Sequence, residues 1–142
     1  MEKNMNARFL TCRALALLAL TGLFAFSPAA SAHAEDKPQI KFAQGKDSAT
    51  LKGDIQGMDR DIYPITAKAG QTMSVKVSNR LKLVLFHIQK PGKEVAYLPK
   101  AGEDDDATEW KGVLPESGTY KIIVGAMRGE DTRYTLKVRI TK

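Results

Sequence analysis

Thiols are almost missing from this chain: its 142 residues include one cysteine, Cys12. Cys12 precedes the apolar stretch that a lipoprotein cysteine would follow, and it falls in a segment that reads as a removable leader. The mature chain then has no cysteine, which excludes a disulfide framework and a thiolate metal site and leaves stability to packing. Histidine is nearly as scarce, with 2 in the whole chain. Only His87 is certain to outlast leader removal, and its place between Phe86 and Ile88 is that of a structural histidine. One histidine does not make a zinc site without partners. No serine stands in a G-x-S-x-G frame. The expectation is a non-enzyme with no cofactor and no metal. No recognisable nucleic-acid-binding module is present, and no internal repeat or low-complexity segment.

A long apolar run is also lacking. The longest, Ala14 to Phe26, has about 13 residues, short of the roughly 20 that a membrane-spanning helix needs. Arg8 and Arg13 flank its start, and Ala29, Ala30, Ser31, Ala32, His33 and Ala34 follow it. A basic start, an apolar centre and small residues at the end describe a secretory signal peptide. Two cuts fit, after Ala32 or after Ala34. The second is the expectation, because Glu35-Asp36-Lys37-Pro38 then makes a polar start. Residues 1–34 are thus read as leader and residues 35–142 as one domain, enough for a single core. The net charge of +6 is spread along the chain, as at Lys137, Arg139 and Lys142, and suits a solvated face.

No helical period of 3.6 occurs after residue 35. The apolar residues alternate instead, between turn residues. Gln39 to Phe42 reads as a first short strand. Ala49, Leu51, Gly53 and Ile55 line one face of the next. Tyr63, Ile65 and Ala67 follow, then Met73, Val75 and Val77. Pro64 has no N–H to donate, so its strand is expected at an edge or with that position facing outward. Leu81 to Ile88 is apolar on both faces and is expected to be central or covered by a loop. Glu94 to Leu98, Trp110 to Leu114 and Tyr120 to Val124 come next. Tyr134, Leu136, Val138 and Ile140 form the last strand. Eight or nine short strands imply an all-β protein, an antiparallel two-sheet sandwich of jelly-roll or Greek-key kind.

The loops carry what chemistry there is. Glu103-Asp104-Asp105-Asp106 lacks the alternating spacing of a calcium loop and reads as a solvated acidic turn. Asp59 and Asp61 suit turn capping, with ion binding as the sharper alternative. Ser117-Gly118-Thr119-Tyr120 follows Pro115 as a tight turn into a strand. The same turn is also small and glycine-hinged enough to enter a cleft. Arg128 to Arg133 holds two guanidinium groups beside Glu130 and Asp131. They either pair locally, at little gain, or Arg128 offers its planar fork to a carboxylate on a partner.

Several stretches together carry a resemblance. They are Lys46-Asp47-Ser48-Ala49, Gly53 to Tyr63 (GDIQGMDRDIY), Ala67-Lys68-Ala69-Gly70-Gln71, Val75 to Asn79, the Ser-Gly-Thr-Tyr turn and Arg128. The chain resembles the bacterial periplasmic inhibitors of g-type lysozyme. The resemblance implies a secreted β-sandwich whose loops at one end block a lysozyme's substrate cleft. It carries the partner-binding role onto Ser117, Gly118, Tyr120 and Arg128, with Asn79 beside them and Tyr120 supporting the turn from below. Lysozymes use an acidic residue in that cleft, which a basic side chain would neutralise. The D-x-D-x-Y pattern at Asp59, Asp61 and Tyr63, and the S-G-x-Y pattern, are also similar to prepeptidase C-terminal β-sandwiches. That likeness implies the alternative, a glycan- or cell-envelope-binding module, for which Tyr97, Trp110 and Tyr134 would have to be exposed.

Overall fold

A computed structural model describes residues 31–142. The leader expected at residues 1–34 lies, as far as residue 30, outside the described residues, and Cys12 with it. The strands in chain order are β1 (Ala34–Asp36), β2 (Ser48–Ile55), β3 (Arg60–Ala67), β4 (Thr72–Ser78), β5 (Val84–Gln89), β6 (Glu109–Val113), β7 (Gly118–Ala126) and β8 (Thr132–Thr141). A short 3-10 turn, Met127–Gly129, joins the last two. The strands form two four-stranded sheets, ordered β1-β3-β7-β5 and β2-β8-β4-β6. All neighbours are antiparallel except β1 and β3, which run parallel. This is the all-β two-sheet sandwich that the alternation implied.

The alternating residues meet between the sheets. Met73, Val75 and Val77 stand opposite Ile140, Val138 and Leu136 in the β4–β8 ladder, and all of them are buried. Ile65 faces Tyr120 across β3 and β7, and Ile122, Val124, Phe86 and Ile88 complete that sheet's inner side. Each such side chain contributes about 1.5–3 kcal/mol by leaving water.

Two expected strands are not strands, for identifiable reasons. Gln39 to Phe42 is irregular, and the first strand lies earlier, at β1. Pro38 has no N–H and interrupts the ladder. The chain still follows β3, with Lys37 N–H donating to Ile62 O and Ile40 N–H to Pro64 O, both at 2.8 Å. Those carbonyls lie on the side of β3 away from β7. The nitrogen of Pro64 shares that side, so its missing hydrogen costs the β3–β7 ladder nothing. Glu94 to Leu98 makes only a single bridge, Gln89 to Tyr97.

The chain then wanders along the free edge of β5. Leu98 N–H donates to Ile88 O at 2.9 Å, Ile88 N–H to Ala101 O at 2.8 Å and Phe86 N–H to Ala107 O at 2.9 Å. An irregular segment therefore occupies an edge that a strand would otherwise fill, and its Leu98, Ala101 and Ala107 join the core there. The strand begins at Val84 and not at Leu81 because Lys82 takes a left-handed φ of 54°.

A chain of polar groups crosses the core. Asp61 is buried on β3. Its Oδ2 accepts from the Tyr134 hydroxyl at 2.5 Å. Tyr134 and Tyr63 hydroxyls are 2.6 Å apart. Since the single proton of Tyr134 goes to Asp61, Tyr63 is the donor in that pair. Lys37 Nζ reaches Asp61 Oδ1 at 3.3 Å and Glu35 at 2.9 Å. Burial, followed by the bonds to Asp61 and Tyr63, pushes the Tyr134 phenol far above its ordinary value and keeps it protonated. Gly53 makes room for this ring: a Cβ there would stand 2.3 Å from its Cζ and hydroxyl oxygen.

Candidate functional site

The candidate residues divide between the two ends of the sandwich. Arg60 pairs with Gly125 and Ala67 with Gly118, so Ser117 and Gly118 cap one end of β7 while Arg128 lies past the other. β7 spans Gly118–Ala126, roughly 27 Å of extended chain. The structure does not bring Ser117, Gly118 and Arg128 onto one surface. Asn79 lies at Arg128's end.

At the first end, the S-G-x-Y residues hold loops together. Ser117 Oγ accepts from Ala69 N–H at 2.9 Å, which ties the β6–β7 turn to the β3–β4 turn. Gly118 has a φ of 148°, and a Cβ there would meet the Pro91 ring at 2.8 Å. The Tyr120 ring is fully buried, and its hydroxyl donates to Glu116 O at 2.6 Å. That bond holds the turn from beneath.

At the second end, three loops are bound into one tip. Gly57 N–H donates to Asp131 Oδ1 at 2.7 Å, joining the β2–β3 turn to the segment after the 3-10 turn. Asn79 Oδ1 accepts from Leu83 N–H and its Nδ2 donates to Thr132 Oγ1, both at 2.8 Å. Met127 N–H donates to Leu83 O at 2.7 Å. Asn79 is thus the clasp of the tip, half-buried, while Arg128 is exposed at its crest.

Arg128 sits at φ 58° and ψ 19°, left-handed backbone that a non-glycine residue holds only when its surroundings impose it. Among the described residues no carboxylate pairs with Arg128. The local pairs with Glu130 and Asp131 do not form, because Asp131 is taken by Gly57 and Arg133 leans 3.8 Å from Asp54.

The tip also carries residues that sequence reading passed over. Met58 and Leu81 are 55% and 65% exposed, and Arg80 and Lys82 flank Leu81 in the open. An apolar residue between two cations, next to a strand-breaking Asn79, was the available signal. Beside the tip is a depression of about 570 Å³ whose lining includes Arg60, Arg128, Glu103 and Asp106. His87 borders it, and burial, then the charge of Arg60, push its imidazole below the ordinary value of 6.5. Its Nδ1 has no hydrogen-bond partner among the described residues.

The other weighed groups have structural work. Asp59 accepts from His33 N–H at 2.9 Å, and both oxygens of Asp61 are engaged in the core. Glu103 accepts from Tyr97 at 2.7 Å and Asp105 from Gly102 N–H at 2.7 Å. Trp110 and Tyr134 are buried and Tyr97 is half-buried, so they form no exposed stacking platform.

The architecture defines a class: a small β-sandwich whose turns are tied together at both ends by side-chain hydrogen bonds. No protein-family model and no curated protein sequence matches the chain. Solved structures do. A periplasmic inhibitor of g-type lysozyme from Aeromonas hydrophila, PliG, is 36% identical with a TM-score of 0.64, covering 78% of this chain and 100% of that one. A mutant of the Escherichia coli PliG is 25% identical with a TM-score of 0.59, over 78% of this chain and 100% of that one. The pre-peptidase C-terminal domain of a Bacillus anthracis collagenase shares the fold at 18% identity and a TM-score of 0.52, over 77% of this chain and 97% of that one. The chain belongs to the PliG family of periplasmic g-type lysozyme inhibitors.

Proposed function

We propose that the chain is exported to the periplasm and inhibits g-type lysozyme without catalysis, by seating the Arg128 tip in the enzyme's substrate cleft. The observation that carries the placement is Arg128 itself. It is exposed, has no carboxylate partner among the described residues, and is held in a left-handed conformation by loops that hydrogen bonds lock together. A backbone already fixed at Arg128 loses little freedom on binding, so more of the side chain's attraction for an acidic cleft appears as affinity. Asn79 holds the clasp, Arg80 and Lys82 extend the positive field, and Leu81 and Met58 supply apolar contact at the centre. In this reading Ser117, Gly118 and Tyr120 shape the far end and do not enter the same cleft.

The test is a cell-wall lysis assay. Purified processed protein is titrated against g-type, c-type and i-type lysozymes in parallel. Stoichiometric loss of g-type activity alone is the expected result. Unchanged g-type activity at large molar excess would remove the proposal.

A further inference from the structure

His33 and Ala34 already do structural work, and this bears on where the leader of the proposed exported chain is removed. The small-residue rule is met twice, by Ala30 and Ala32 for a cut after Ala32, and by Ala32 and Ala34 for a cut after Ala34. The rule alone does not separate them. The fold does. His33 N–H donates to Asp59 Oδ1 at 2.9 Å, and His33 O accepts from Arg60 N–H at 2.8 Å. Ala34 opens β1 opposite Arg60. A cut after Ala34 would delete both bonds and the first position of the parallel ladder. Ser31 and Ala32, by contrast, are exposed and outside any strand.

Charge points the same way. The nitrogen of His33 lies at an acidic recess of about 210 Å³ lined by Glu35, Asp54, Asp59 and Asp61. Lys37 answers Glu35 and Asp61, and Arg133 leans toward Asp54. Asp59 has no cation among the described residues. We propose that the leader is cut between Ala32 and His33, two residues before the expected position, so that the new α-ammonium docks on Asp59. Once the cut chain folds, that nitrogen sits at hydrogen-bond distance from Asp59. Scission turns a neutral amide donor into a charged one, which makes a stronger bond to a carboxylate. Scission is ordinary peptide hydrolysis by the exporting cell's signal peptidase: water adds across the Ala32–His33 bond, leaving a carboxylate on Ala32 and an amine on His33.

The full-length chain should be expressed in a bacterium that exports it, and the periplasmic product sequenced from its N-terminus. A start at His33 is expected, and a start at Glu35 overturns the proposal. Two variants separate the cuts without relying on the product alone. Ala30→Phe occupies a small-residue position used only by the cut after Ala32, and should abolish the His33 start, either moving it to Glu35 or accumulating precursor. Ala34→Phe occupies one used only by the cut after Ala34, on an exposed strand face, and should be processed like wild type. The reverse pattern overturns the proposal. Docking is read from the processed protein by the rate at which a mild acylating reagent modifies the α-amine. Asp59→Asn should raise that rate several-fold, and an unchanged rate overturns the docking.

Discussion

The hydroxyl of Tyr134 on β8 donates to the buried carboxylate of Asp61 on β3, a hydrogen bond that joins the two sheets through their core beside the Tyr63–Tyr134 pair. Removing it leaves a buried carboxylate short of a donor. Tyr134→Phe should cost about 1.5–3 kcal/mol, seen as a lower urea midpoint with an unchanged slope. Tyr63→Phe removes only the outer hydroxyl of the same chain and should cost less. Equal losses would mean that the donor order assigned here is wrong.

Gly53 is where the ring of Tyr134 crosses the opposing strand. The close approach of a Cβ at that position makes Gly53→Ala an overpacking change, expected to cost about 1–3 kcal/mol. Combined with Tyr134→Ala it should add almost nothing, because the clash then has no second party. A thermal-denaturation double-mutant cycle reads this coupling.

Arg128 and Ser117 are expected to fail in opposite assays. Arg128→Ala should weaken g-type lysozyme inhibition by at least 2 kcal/mol or so, the scale of an interface hot spot, and leave the melting temperature alone. Ser117→Ala should lose about 1 kcal/mol of stability with its bond to Ala69 and keep the inhibition constant. Reversed results would move the contact surface to the other end of the sandwich.

Stability should respond to His87 on the acid side. Its imidazole titrates below 6.5 in the fold because burial, then Arg60, disfavour the cation. The unfolded chain therefore takes up the proton first. The penalty is absent well above 6.5 and grows as pH falls below it toward the folded-state value. His87→Phe, which also discards the unpartnered Nδ1, should flatten the decline of melting temperature between pH 6.5 and 5 relative to wild type. An identical slope would show that His87 does not contribute.

Much of the sandwich was legible because alternation is a local property. Met73-Val75-Val77 and Tyr134-Leu136-Val138-Ile140 declare a half-buried strand without knowledge of what they face. The two misplaced strands failed where pairing is non-local: Gln39 to Phe42 depends on what Pro38 withholds from β3, and Glu94 to Leu98 on how the chain meets β5. The site was legible by residue and not by position. Ser117 and Arg128 stand close in sequence, and only the length of β7 shows that they cap opposite ends. Asp61 looked like a turn residue because nothing local announces a tyrosine arriving from β8.

The irregular segment along β5 has a consequence for handling the protein. Uncovered, the amides of Phe86 and Ile88 would be a template to which any extended peptide, including another copy of the same chain, could add as a strand. Residues 96–107 act as a built-in stopper at that seam. A proteolytic nick in the exposed stretch from Glu103 to Asp106 would leave the core intact but loosen the stopper. The nicked protein should pass from monodisperse to slowly self-associating on storage, with an association rate that climbs steeply with concentration.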